Sequence, residues 1–207
     1  MEIVETTYYE NVVNKDILDE LVSIYHEADS YDDPNTEARL HGDNRVHELL
    51  KQVPQIDVDR IAVAHFYKHY DPYFVHTDWH GKEKENFVLP IAVEDTSTYP
   101  NLVVYDQLWM DDGRTWVGEY DLDFTVNRSL KGAPGHHNIV GNTNMDIDKD
   151  FYDSYLGGYP LEMYYGLSGK SYPFIPGNLI KMDTRRLHST GKTYSKWKLE
   201  LTIRLFE

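Results

Sequence analysis

Two hydrophobic periods divide the chain. Near the start, Ile17, Leu18, Leu21, Val22, Ile24, Tyr25 and Ala28 include steps of three and four residues, while Asp19, Glu20, Ser23 and Glu27 take the opposite side. That spacing predicts a helix over about 15–28, with Asn14 as its N-cap. A second helix is expected over about 43–53, carrying Val46, Leu49, Leu50 and Val53, capped by Asp43 and stopped before Pro54. Residues 3–9 alternate loosely and are rich in Thr and Tyr, which predicts a strand, and 30–42, with Asp32-Asp33-Pro34-Asn35, reads as loop.

From Val58 onward the period is two. Ile61, Val63, His65 and Tyr67 fall on one face of a strand, and Ala62, Ala64 and Phe66 on the other. After a turn at Asp71-Pro72, further strands are expected over 73–78, 87–93 and 102–105, and the run from Pro176 to His188 reads as turn, strand and exit. The last strand, Lys196 to Phe206, has an unbroken apolar face of Trp197, Leu199, Leu201, Ile203 and Leu205. Helices first and strands after them predict an α+β, mainly β, layout with the N-terminal helices packed on one sheet. Between about 107 and 173 turn signals mix with a helix expected near 148–156 and with many aromatics, so that stretch reads as an insertion serving as lid, binding loop or cover.

At 207 residues, with no linker-like stretch, one domain is expected over 1–207. The net charge of −15 repels a phosphate backbone and argues against nucleic acid as the main partner. With no Cys, thiolate metal sites, cysteine nucleophiles and disulfides are excluded. The first residues lack a basic start and an apolar core, and no stretch reaches membrane-spanning length, so a soluble, cytoplasmic protein is expected. The sequon Asn127-Arg128-Ser129 is then a chance match.

The chemistry centres on His76-Thr77-Asp78, where two ligand-type side chains two residues apart point the same way from an extended segment. His-x-Asp also occurs as His41-Gly42-Asp43, whose Asp43 serves as a helix cap, and as His69-Tyr70-Asp71, whose carboxylate precedes Pro72 in a turn-starting pair. Taken alone, His76 reads as a satisfied strand histidine. His136-His137 are adjacent, so in an extended segment they point apart. The third ligand candidate is His188. Two imidazoles and one carboxylate on one face of an ion leave the opposite positions open, as in non-haem Fe(II) oxygenases. The polar face of the last strand adds Lys198, Glu200, Thr202, Arg204 and Phe206. It reads either as the wet side of an antiparallel sheet or as a line of two cations and a hydroxyl suited to a dicarboxylate.

In that order and spacing, the segments His65 to Asp78, Pro176 to His188 and Lys198 to Arg204 resemble the Fe(II)- and 2-oxoglutarate-dependent oxygenases. The resemblance implies a double-stranded β-helix, a jelly-roll or cupin-like barrel. It implies that His76, Asp78 and His188 hold Fe(II). Lys198 would pair with the distal carboxylate of 2-oxoglutarate, with Tyr67 donating a hydrogen bond to it, Arg204 nearer the metal and Thr202 lining the pocket. Lys198 stands where most branches have Arg, so Lys198 and Arg204 are open to an exchange of roles. Glu200 stands where the nucleic-acid dealkylases have Asn, close to the cosubstrate anion unless it neutralises Lys198. Asp71-Pro72 replaces the usual Pro-Gly turn, and 107–173 matches nothing in the family.

The implied reaction oxidises an organic substrate, a small molecule or a protein side chain, while 2-oxoglutarate and O2 become succinate and CO2. Retention of Asp78 favours hydroxylation over halogenation. Two other readings stay open. A non-catalytic jelly-roll binding module predicts that His76, Asp78 and His188 do not converge. A cupin-type metalloenzyme predicts metal binding with no response to a 2-oxo acid, and Lys198 and Arg204 facing solvent.

Overall fold

The period-two stretches become two antiparallel sheets in the computed structural model, which describes residues 3–28, 30–32, 36–40, 44–70, 72, 75–78, 82–109, 139–140, 147–157, 160–164, 167–192 and 197–207. Its strands are β1 (Thr7–Tyr9), β2 (Ser30–Asp32), β3 (Thr36–Leu40), β4 (Ile61–His69), β5 (Glu83–Val93) and β6 (Asn101–Trp109), followed by β7 (Ile139–Val140), β8 (Gly169–Pro173), β9 (Leu179–Asp183), β10 (Arg186–Thr190) and β11 (Lys198–Phe206). Among the described residues the larger sheet runs β1-β9-β5-β11-β4-β3-β2, and the smaller runs β10-β6-β7 with β8 also on β6. This is the architecture of a double-stranded β-helix. The last strand, β11, sits centrally between β4 and β5.

Helix α1 (Lys15–Glu27) begins where its cap was expected, the Asn14 carboxamide oxygen accepting from Ile17 N at 3.0 Å. With α2 (Asn44–Leu50) it covers the outer face of the larger sheet, where Leu21, Ile24, Val46 and Leu50 meet Phe66, Phe87, Leu89, Leu201 and Ile203. Tyr25 and Phe66 pack edge to face with centroids 5.8 Å apart. Because side chains alternate along a strand, the same residues that bury Leu199, Leu201 and Ile203 against the helices turn Lys198, Glu200, Thr202 and Arg204 into the barrel. Val88, Leu102, Val104, Phe174, Ile180 and Met182 fill the barrel between the sheets. Beyond the smaller sheet, Val103, Tyr105 and Leu187 pack under Leu156, Tyr164 and α3 (Lys149–Tyr155).

Three expectations need correction. The stretch 30–42 contains the paired strands β2 and β3, and β3 completes the ladder along the edge of β4, satisfying backbone groups that a loop would leave open. Val58–Arg60 forms a 3-10 turn, so the strand starts at Ile61. The run from Pro176 to His188 is two strands in different sheets, not one strand and an exit. At the crossing, Asp183 accepts from Arg185 N at 3.0 Å and grips the Arg185 guanidinium at 2.8 and 2.7 Å, while Thr184 Oγ1 donates to Glu83 O. Burial would raise the Asp183 carboxyl, but Arg185 holds it below the usual carboxylate range. Of the expected insertion, 107–109 end β6 and 169–173 form β8, so both ends belong to the smaller sheet.

The turn that starts β9 constrains one glycine. Gly177 has φ +89°, and a Cβ there would lie 2.7 Å from Val13 O. Gly177→Ala is expected to lose about 1–3 kcal/mol, read as a lower urea midpoint with unchanged slope. Among the described residues no helix is long and apolar enough to cross a membrane.

Candidate metal centre

His76, Asp78 and His188 converge, their ligand atoms lying within 4.8 Å of one another. Alternation explains the first two. Val75 is buried in the cluster outside the smaller sheet, and Thr77 is fully buried, so His76 and Asp78 take the other side of the extended segment. His188 comes from β10, and two backbone hydrogen bonds tie it to His76, each N donating to the other's carbonyl at 2.9 Å. The β10 register shifts between Arg186 and His188, the kind of irregularity that re-aims a side chain beside a site. His188 Nδ1 lies 3.0 Å from Arg186 O. A carbonyl only accepts, so Nδ1 donates there, and Nε2 is the nitrogen turned towards Asp78 and the ligand cluster. That Nε2 is 3.2 Å from Asp78 Oδ2, and the two imidazole centroids are 4.3 Å apart. Two nitrogens and one carboxylate, each residue less than a tenth exposed, form a donor set that suits a first-row divalent ion with open positions.

Two neighbours fix Asp78. Asn86, fully buried, donates from Nδ2 to Asp78 Oδ2 at 2.9 Å, and Arg204 Nη1 donates to Asp78 O at 2.8 Å. They face each other across the β5–β11 register. The expected strand began at Phe87 and missed Asn86, although an amide two positions before Val88 shares Val88's face. Asn86→Ala is expected to weaken metal affinity roughly 10- to 100-fold, as loss of a hydrogen bond to a ligating carboxylate does, measured by competition with a chromogenic chelator.

Below the cluster lies a pocket of about 440 Å3, its open mouth included. Tyr67 and Thr202 line it as expected, together with Thr190 and the apolar Val88 and Leu102. Its floor carries Glu200 and His69. Lys198, with no exposed surface, stands behind Glu200, its Nζ 3.4 Å from Oε2, and Phe174 lies beneath it at 4.0 Å to the ring centroid. Burial pushes the Lys198 ammonium down, against the pull of Glu200. Burial would likewise raise the Glu200 carboxyl, but Lys198 and then His69 more than reverse this and hold it at about 2. Arg204 faces the Asp78 carbonyl, which places it at the metal end. Asp43, Asp71, His41, His136 and His137, and the sequon, lie outside the described residues.

No protein-family model matches the chain, and no curated protein matches it in sequence. Solved structures share its fold. HygX from Streptomyces hygroscopicus, with nickel and 2-oxoglutarate bound, superposes with a TM-score of 0.53 at 10% identity over 97% of this chain and 82% of that one. SnoN, a non-heme alpha-ketoglutarate-dependent epimerase from nogalamycin biosynthesis, gives 0.51 at 10% identity over 98% and 78%. SnoK, an alpha-ketoglutarate-dependent carbocyclase of the same biosynthesis, gives 0.51 at 8% over 98% and 80%.

Proposed function

We propose that the chain is an Fe(II)- and 2-oxoglutarate-dependent dioxygenase that hydroxylates a small molecule or a protein side chain and releases succinate and CO2. The observation that carries this reading is the convergence of His76, Asp78 and His188 above a pocket floored by Glu200, with the buried Lys198 ammonium behind it. The shared fold of HygX, whose structure holds nickel and 2-oxoglutarate, supports it.

In this reading His76 Nε2, Asp78 and His188 Nε2 hold the metal on one face. When bound, Fe(II) supplies the chemistry that couples oxidation of the 2-oxo acid by O2 to oxidation of the substrate. The chain's own groups position and exclude. Tyr67 offers a hydroxyl to the 2-oxo acid and Thr202 lines its pocket, with Lys198 as the cation at the far end, behind Glu200. Val88 and Leu102 keep the wall dry, which strengthens the polar contacts inside. Arg204 and Asn86 hold Asp78 in place, Arg204 at the metal end of the pocket. The net charge of −15 supports a small-molecule or protein substrate over nucleic acid, and a gel shift that persists at physiological salt would reverse that preference.

The decisive experiment is anaerobic titration of the purified protein with Fe(II) and then 2-oxoglutarate. A weak visible charge-transfer band, lost in His76→Ala, is the expected result. Metal binding without the band would favour a cupin-type metalloenzyme, and no metal binding would favour a barrel that binds without catalysis.

A further inference from the structure

Viewed from the metal, the pocket ends in a carboxylate with the ammonium behind it. Both Glu200 oxygens are engaged. Oε2 faces Lys198 Nζ at 3.4 Å, while Oε1 accepts from Thr202 Oγ1 at 3.3 Å and lies 3.4 Å from His69 Nε2. A cation, a hydroxyl and an imidazole around two oxygens is the donor set that a ligand carboxylate would need. Here the protein's own side chain fills it. The register makes this a built arrangement, since β11 sets Lys198 opposite His69 and Glu200 opposite Tyr67 on β4. Glu200 and Lys198 are 6% and 0% exposed, so a second carboxylate brought to the same floor would meet a like charge with little water to screen it.

We propose that Glu200 is the resident occupant of the pocket's carboxylate subsite, so that the chain accepts 2-oxo acids with uncharged tails nearly as well as the dicarboxylate. The dicarboxylate reaches Lys198 only by displacing Glu200. This inference rests on the cosubstrate reading above. Its physical basis is the origin of selectivity. A site rejects an analogue lacking a polar group because the site's own buried groups are then left unpaired, a penalty worth roughly 10^4-fold or more. Lys198 keeps Glu200 as its partner whichever acid is bound, so that penalty is absent.

The test compares 2-oxoglutarate with 2-oxovalerate, which has the same carbon count and a methyl in place of the distal carboxylate. Dissociation constants are measured by anaerobic calorimetry on the full, Fe(II)-loaded chain. Wild type is expected to prefer the dicarboxylate by less than about tenfold, far below the discrimination of an open polar site. Glu200→Ala vacates the subsite and leaves Lys198, His69 and Thr202 to the ligand, so the preference is expected to rise to about 100-fold or more, through tighter 2-oxoglutarate binding. A wild-type preference of about 100-fold, or a Glu200→Ala protein that binds 2-oxoglutarate more weakly, would overturn the inference and leave the cosubstrate reading standing. Binding of neither acid to wild type would overturn both. Where Glu200→Ala fails to fold, the wild-type ratio decides alone.

Discussion

Replacing His188 by Ala is expected to abolish 2-oxoglutarate-dependent succinate formation while leaving the fold in place. The residue is 3% exposed and carries one of three ligand atoms, and it is the one that joins the smaller sheet to the segment 76–78. Without it the ion keeps two donors, both from that short segment, and the open face no longer has a fixed orientation. The loss is expected to exceed the roughly 100-fold typical of removing an outer hydrogen bond such as that of Asn86. The backbone pairing of residue 188 with His76 uses N–H and C=O groups that Ala retains, so the loss of stability is confined to the side chain's packing and its Nδ1 hydrogen bond to Arg186 O. Succinate release by liquid chromatography, with metal content measured on the same sample, checks both halves. Undiminished succinate formation would remove His188 from the metal site and with it the proposed function.

Much of this centre was legible because it depends on a period. In extended chain, residues two apart share a side, so the spacing alone groups His76 with Asp78, and Lys198 with Glu200, Thr202 and Arg204. The apolar face of the last strand, Leu199 to Leu205, announced a sheet covered by helices for the same reason. What stayed hidden depends on pairing between distant segments. Arg204 and Asn86 meet only through the β5–β11 register, and an isolated Asn at the start of a strand carries no mark of the carboxylate it will hold. The crossing at Thr184 was missed because it contains neither Gly nor Pro; its stability lies in the Asp183–Arg185 grip, a side-chain interaction that composition does not reveal. Glu200 stands out in sequence as a charge of the wrong sign unless it neutralises Lys198. Its meaning required His69 from β4 and the depth of Lys198.

That same pair makes the second large effect. Lys198→Met removes the ammonium and leaves Glu200, 6% exposed, with its strongest counter-charge gone. Breaking one side of a buried ion pair costs on the order of 3–5 kcal/mol at neutral pH, because the remaining charge is desolvated without compensation. The pH dependence identifies the cause. In wild type the Glu200 carboxyl is held at about 2 against an ordinary 4.5, so its contribution to stability is present above 4.5 and is lost as pH falls towards 2. In Lys198→Met burial dominates and the folded-state value rises above the ordinary one, so protonation now favours the folded state as pH falls. The gap between the two urea midpoints is therefore expected to be widest near pH 7 and to narrow towards pH 4. A double variant, Lys198→Met with Glu200→Gln, removes the stranded charge and is expected to regain much of the loss at pH 7 and to show no such narrowing. A gap that stays constant with pH would mean that Lys198 stabilises the barrel through its packing on Phe174 and not through Glu200.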